Sequence, residues 1–422
     1  MNRVDFLIVG GSAAGTTAAE VIRGLKPEAS ISIITDENHE QYSRVLIPHY
    51  IRGKVGREQV FLKKPEWYID QKINLLRQKK VKTFECKNKI VTLEDGEQIQ
   101  YGKLLISIGG YVIKLPVPGA EVQNIYYMRT IENADEIIKA AKASKKGLIV
   151  GGGFIGLEFC SCFRVNGVEE VIVLVREPYY WQGKLDEASS KVLVGVLERN
   201  GVKVLTEEEV DHFERDTERG QTSFQSVGSV VTKSGKRFDV DVVGVGIGIK
   251  SDLSWLDGSG ININKAIVTN EYLETSLPDV YAAGDCAEFK DVIFERQHIV
   301  GNWSNATSQG AAVGKTMAGV KTVFETASSY TINFFDGSCS FIGVTDADFA
   351  DEVISRGSVE NGKMTRIFVK SIAGVMRLVG ATVINDPAEV APLSSAVRNK
   401  TDISSFKDKF SDVNFDLKEI IP

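Results

Sequence analysis

Two stretches of the chain repeat the same local order, and that duplication constrains the fold more than any other feature. In the first, the apolar residues 4–9 enter Gly10-Gly11-Ser12-Ala13-Ala14-Gly15. A helical stretch to Gly24 follows, and the β-branched residues 31–35 end in Asp36-Glu37. In the second, residues 147–150 enter Gly151-Gly152-Gly153-Phe154-Ile155-Gly156. A helix to about Gly167 follows, and residues 171–175 end in Arg176-Glu177. A lone G-x-G-x-x-G is a weak signal. Two, each after a strand, each opening a helix, each with a polar or acidic residue about 20 positions on, predict two dinucleotide-binding units.

The same physics explains both turns. Gly10, Gly15, Gly151, Gly153 and Gly156 let the backbone turn sharply and approach a pyrophosphate. Its charge would be met by the N–H groups and positive dipole end of the helix, over Ser12, Ala13 and Ala14 in one copy and Phe154 and Ile155 in the other. Ser12 stands where the middle glycine is expected, which narrows the turn slightly. The acids at the strand ends can bond a ribose hydroxyl. For either copy alone the alternative is a tight strand-to-helix connection with no ligand, and the duplication weighs against it.

With 422 residues, two to four domains are expected. Fifty Lys+Arg against 56 Asp+Glu give a net charge of -6, so no global field draws the chain to nucleic acid or anionic lipid. No apolar run is long enough to span a bilayer, and the first residues lack a secretory pattern, which predicts a cytoplasmic protein. Five scattered Cys form no disulfide framework. Cys160 and Cys162, two apart on a helix, make a poor metal pair; no two of the four His lie at i,i+4, so no metal site is expected. Cys286 reads as a packing residue.

Residues 104–119 resemble a strand leaving one domain and a Pro-stiffened linker entering the next, and residues 238–252 resemble the return crossing. Residues 277–287 predict a strand followed directly by a helix start carrying Asp285. Beyond 328 the pattern turns to alternating strands, with a hairpin near 364–383. The expected architecture is α/β, a pair of Rossmann-type domains plus a small α+β C-terminal domain. The first domain covers 1–112 and 247–327, the inserted one 113–246, and the third 328–422.

Together, the two Gly-rich units and Ala283-Gly284-Asp285 resemble the FAD-dependent pyridine-nucleotide oxidoreductases with two dinucleotide-binding domains, of glutathione-reductase-like fold. That resemblance implies that Asp285, with Gly284, holds the ribityl chain of FAD and that Glu37 or Asp36 holds its adenosine ribose. It further implies FAD contacts at Val81 and Gly109, a pyridine-nucleotide contact at Gly246, and Glu158 reaching the nicotinamide side of the flavin.

Disulfide reductases of this fold carry one or two Cys where this chain has Gln41-Tyr42-Ser43-Arg44-Val45-Leu46-Ile47-Pro48-His49-Tyr50. A flavin without a partner thiol must pass electrons to something that approaches it directly. Tyr42-Ser43-Arg44 with the following Leu and Pro resembles the rubredoxin reductase, ferredoxin reductase and nitrite reductase flavoprotein group. The resemblance places Arg44 against the FAD phosphates or isoalloxazine edge. His49 stands where relatives have a lysine, as a proton-handling group or a structural histidine. Trp303, ahead of a helix rich in small residues (Ala306, Gly310, Ala311, Gly314, Ala318), covers the flavin or anchors the core; those small residues suggest close packing on FAD or on the sheet.

The implied activity is electron transfer between NAD(P)H and a small iron–sulfur or rubredoxin-type protein through FAD. Alternatives are a peroxide-forming NADH oxidase and a flavoprotein whose NADH-dependent state gates partner binding. Arg176 points to NADPH and Glu177 to NADH, with a slight lean to NADH. Arg366, Lys370, Arg377, Arg398 and Lys400 offer a basic rim for an acidic carrier, or are scattered surface cations.

Overall fold

The computed structural model describes residues 2–216 and 225–421. In chain order the α-helices are α1 (Ala13–Leu25), α2 (Ile47–Ile51), α3 (Pro65–Asp70), α4 (Ile131–Lys142), α5 (Phe154–Val165), α6 (Glu187–Arg199), α7 (Trp303–Met317) and α8 (Val390–Arg398). The chain divides into two compact units. One comprises Met1–Val45, Gly56–Tyr111 and Ile249–Ser328; the other comprises Leu46–Val55, Val112–Gly248 and Ser329–Pro422.

The first unit is built on a parallel core. Strand Asn2–Val9 lies between Ile31–Ile34 and Gln98–Ile106, with Ile73–Leu76 outside Ile31–Ile34 and Val280–Ala282 on the far side of Gln98–Ile106. The antiparallel strands Ile90–Leu93 and Val81–Glu85 extend it. Phe6, Leu7, Ile8 and Val9 are all buried, the continuous apolar run that a strand covered on both faces requires. α1 and α7 pack together with almost no side chain between them. A Cβ on Gly310 would lie 2.4 Å from the Ala14 carbonyl O, and one on Gly314 would lie 2.9 Å from the Ala18 carbonyl O. Gly310 and Gly314 therefore serve the close packing of α7 on α1.

The second unit repeats the parallel motif, in the order Val202–Leu205, Glu170–Leu174, Lys146–Val150, Val242–Val245, Ile125–Tyr127. A three-stranded antiparallel sheet accompanies it. The C-terminal part is a five-stranded antiparallel sheet in the order Ser329–Phe334, Gly337–Gly343, Val375–Ile384, Lys363–Ile372, Glu352–Ser358, backed by α8. The expected hairpin is the pair Lys363–Ile372 and Val375–Ile384. α6 reaches this sheet: Arg199 and Asn200 bond Asp336, and a Cβ on Gly337 would lie 2.9 Å from Val196.

The helix expected directly after Asp285 is absent. Gly284 turns with φ 82°, and the chain goes on as the hairpin Ala287–Asp291 and Arg296–His298 before α7 begins at Trp303. Asp291, buried, accepts the N–H groups of Ile293 and Phe294 and faces His298 at 3.1 Å. That closed hairpin takes the chain length the helix was expected to use. Among the described residues, no helix is long and apolar enough to cross a membrane.

Candidate active site

Each Gly-rich turn has two positions at which only glycine fits. At Gly10 (φ 112°) a Cβ would lie 2.2 Å from the Ser107 carbonyl O, and at Gly15 one would lie 1.9 Å from the Gly10 carbonyl O. The second turn repeats this: Gly151 (φ 118°) would strike the Gly246 carbonyl O at 2.4 Å, and Gly156 the Gly151 carbonyl O at 2.2 Å. Gly246 itself abuts Ile155 and the Gly156 N–H, so it belongs to the same turn.

α4, α6 and α7 are capped by the side chains of Thr130, Asp186 and Asn302, whereas Ser12 and Gly153 give α1 and α5 no side-chain cap, as is also the case at α2, α3 and α8; only at α1 and α5 does the uncapped start follow a tight glycine turn. Uncapped first-turn N–H groups at the end of a tight glycine turn suit a pyrophosphate. A Cβ at Gly153 would meet nothing within 4 Å, so the space outside that turn is open. The residues present thus fit one dinucleotide in each unit.

Around the first turn, the expected FAD residues fall into separate groups. Glu37 accepts from Tyr42 Oη at 2.5 Å and pairs with Arg44, whose Nη1 also reaches Tyr42 Oη at 3.1 Å. Arg44 is thus engaged by Glu37; burial works against its charge, and the fields of Glu37 and Tyr42 more than offset that, holding it above the ordinary guanidinium value. Asp36 accepts from Tyr111 Oη at 2.7 Å and lines a cavity of about 560 Å³ with Gln78, Lys79, Lys80 and Asp95. Val81 follows that lining, but its own side chain packs in the core beside Leu93, leaving only its backbone to a ligand. Gly109 (φ 64°) accepts from Ser251 Oγ at 2.6 Å.

Asp285 lies next to the start of α7 through space rather than sequence: a Cβ on Gly301 would be 3.7 Å from its carboxyl carbon. Gln309, fully buried on α7, accepts the Gly284 N–H at 2.7 Å and so fixes the turn that presents Asp285. Trp303, half-buried, packs against the core cluster that contains α1. Cys286 is buried, with its thiol donating to the carbonyls of Ile106 and Ala283, and burial pushes it up to about 12.

In the second unit, α2 lies on α4 and α5. Tyr50 Oη donates to Asp135 at 2.8 Å, Asn166 Nδ2 to the Ile51 carbonyl at 2.8 Å, and Cys162 Sγ to the Pro48 carbonyl at 3.7 Å. Arg52, at the C-terminal end of α2, is 8% exposed; its Nη1 donates to Ser161 Oγ at 3.0 Å, while its buried Nε meets no acceptor among the described residues. Ser161 Oγ donates in turn to the Glu158 carbonyl at 3.0 Å. Glu158 is pushed up to about 7 by desolvation, with the Arg52 charge opposing. His49 is lowered by burial and by Arg52 and Lys54, so it is neutral at pH 7. Cys160 and Cys162 are buried and their thiols pushed far up by desolvation.

Arg176 and Glu177, expected as rivals for the ribose, pair with each other at 2.7 Å. Of the expected basic rim, Arg366 pairs with Asp186 at 3.3 Å and Lys370 with Asp351 at 3.2 Å, so two of its cations are already neutralised. Sequence reading passed over Arg52, Ser161 and Tyr180. Arg52 had a signal in its place, three residues beyond His49 on a short helix, but its partner lies over a hundred residues away.

Residues 4–310 match the family described as pyridine nucleotide-disulphide oxidoreductase. The chain belongs to this family. Membership implies FAD and a pyridine nucleotide as cofactors. It is 27% identical over 409 residues to the nitrite reductase [NAD(P)H] of Bacillus subtilis (strain 168), covering 96% of this chain and 48% of that protein. It therefore spans about half the length of that relative. With the putidaredoxin reductase of Pseudomonas putida it shares 26% identity over 433 residues, covering 100% of this chain and 98% of the relative. Among solved structures, the covalent putidaredoxin reductase–putidaredoxin complex matches with a TM-score of 0.90 at 25% identity, over 100% of this chain and 98% of that one.

Proposed function

We propose that this chain is an FAD-dependent oxidoreductase that moves electrons between NAD(P)H and a small iron–sulfur or rubredoxin-type carrier protein, without a thiol relay. The observation that carries the reading is the pair of uncapped glycine turns combined with a 41–50 segment that holds no cysteine, while Cys160, Cys162, Cys286 and Cys339 are buried. The full-length similarity to a putidaredoxin reductase supports the choice of carrier. In this reading 1–112 and 247–327 bind FAD, 113–246 binds the nicotinamide, and 328–422 is a C-terminal interface domain of a cytoplasmic protein.

FAD, when bound, supplies hydride exchange with the nicotinamide and release of electrons one at a time. The protein's part is binding, orientation and proton supply. The N–H groups opening α1 would meet the FAD pyrophosphate, Asp285 and Gly284 would hold the ribityl chain, Tyr111 and Asp36 would hold the adenosine end, and Trp303 would support the first turn of α7. The N–H groups opening α5 would meet the NAD(P)H pyrophosphate, with Glu177 giving a lean to NADH. Glu158 holds or releases a proton at its carboxyl near neutral pH, a role that His49, held neutral, fills less readily.

Anaerobic mixing of the FAD-loaded protein with NADH and NADPH should bleach the flavin within seconds, and adding ferredoxins or rubredoxins should restore the colour. No bleaching with either nicotinamide overturns the reading. Fast reoxidation by O2 with no gain from any carrier favours the peroxide-forming oxidase instead.

A further inference from the structure

We propose that Tyr180 and Trp181, in the loop after the strand Glu170–Leu174, are positioning residues for the pyridine nucleotide, clamping the 151–156 turn through the Gly153 carbonyl and the Phe154 ring. The inference rests on the reading of that turn as the NAD(P)H site.

Tyr180 is fully buried, and its Oη donates to the Gly153 carbonyl at 3.1 Å. A Cβ on Gly156 would lie 3.1 Å from the same hydroxyl. A buried phenol needs a partner, and here the partner is the residue that opens α5. The Gly153 carbonyl also accepts the Leu157 N–H at 3.1 Å, the first bond of the helix. The position of the Tyr180 ring and the position of the turn are therefore coupled.

Trp181 has φ 61°, a left-handed conformation that a bulky residue adopts only when its surroundings impose it. Those surroundings are specific. Its ring lies 4.9 Å from that of Phe341 and 6.1 Å from that of Phe154, and its carbonyl accepts the N–H groups of Lys184 at 3.0 Å and Leu185 at 3.1 Å. Phe154 also approaches Tyr330 at 6.4 Å, and Tyr330 stacks on Phe341 at 5.3 Å. Four rings thus close a circuit between the first residue of α5 and the C-terminal sheet. Phe154, 38% exposed, is the one ring of the circuit beside the open space at Gly153.

The far end of the loop is held by the same sheet, where Arg366 reaches the Lys184 carbonyl at 3.4 Å and Asp186 at 3.3 Å. Arg176 and Glu177 begin this loop. The C-terminal sheet therefore sets the shape of the segment that meets the ribose, although it contributes no residue to the turn itself.

The test uses the full chain loaded with FAD and reads NADH binding by equilibrium titration, KM and kcat by steady state, flavin content by absorbance, and Tm. Tyr180→Phe is expected to weaken NADH binding about tenfold, the worth of one buried hydrogen bond. The loss should fall on KM rather than kcat, with flavin content as in the wild type. Trp181→Gly, which relaxes the backbone and removes the ring, should weaken binding at least as much. Gly153→Asp fits the open space and makes a good N-cap, but sets a carboxylate where the pyrophosphate would lie, so it should abolish binding. If Gly153→Asp binds NADH as the wild type does, the site reading falls. If Gly153→Asp loses binding while Tyr180→Phe and Trp181→Gly retain it, or lower only Tm, the clamp alone is overturned. Should Tyr180→Phe not accumulate as folded protein, Trp181→Gly decides by the same criterion.

Discussion

Arg52 donates from Nη1 to the Ser161 hydroxyl at 3.0 Å, joining the short helix α2 to the helix that carries Glu158. A buried guanidinium with one of its nitrogens unsatisfied needs a counter-charge, and the Glu158 carboxylate feels its field. Desolvation raises Glu158 and the Arg52 charge opposes that rise, leaving its titration at about 7.

Arg52→Gln should therefore move the pH midpoint of NADH-dependent flavin bleaching upward by about one unit or more, because the charged form of Glu158 loses its only named support. Glu158→Gln should remove that step from the profile. Stopped-flow bleaching from pH 5 to 9 checks both, and an unmoved midpoint in Arg52→Gln contradicts the coupling.

Folding raises Glu158 from its ordinary 4.5 to about 7, so between those values the folded chain holds a proton that the unfolded chain has released. The contribution of Glu158 to stability is then largest below about pH 4.5 and declines as pH rises to 7. In the flavin-stripped protein, Glu158→Gln should flatten the Tm-against-pH curve over that window. A slope identical to that of the wild type would exclude this carboxyl as its source.

Glu177→Ala removes the partner that neutralises Arg176. NADH binding should weaken while NADPH gains from the released guanidinium, so the ratio of their KM values should shift about tenfold toward NADPH. Equal losses for both nicotinamides would remove Glu177 from the ribose site.

Gly310→Ala places a methyl 2.4 Å from the Ala14 carbonyl, a backbone atom that cannot step aside. Separating α7 from α1 should cost roughly 2 kcal/mol and lower the flavin content of the purified protein, because Gly284 and Asp285 are held from α7 by Gln309. Thermal unfolding and the flavin-to-protein absorbance ratio measure the two effects.

Much of the fold was legible because its signals are local. A run such as Phe6-Leu7-Ile8-Val9 followed by glycines can be only a buried strand and a turn, and the repeat near residue 150 obeys the same rule. What sequence could not display were the pairings across distance. The turn at Gly284 looked like a helix start because the α7 N-terminus that Asp285 meets lies beyond an intervening hairpin, closed by Asp291 and His298. Glu37 and Arg44 read as separate cofactor residues, and their bond to each other is one of those pairings. Tyr180 carries no signal in the sequence; its contact with the Gly153 carbonyl is what ties it to the turn.

The segment Leu46–Val55 groups with the second unit although residues on either side of it belong to the first. Excising 112–248 as an independent module would strip α2 from α4 and α5, leaving Asp135 without the Tyr50 hydroxyl and Asn166 without the Ile51 carbonyl. The chain is thus stitched rather than strung: limited proteolysis between 45 and 56 should unsettle α4 and α5 before it unsettles the sheet at the N-terminus.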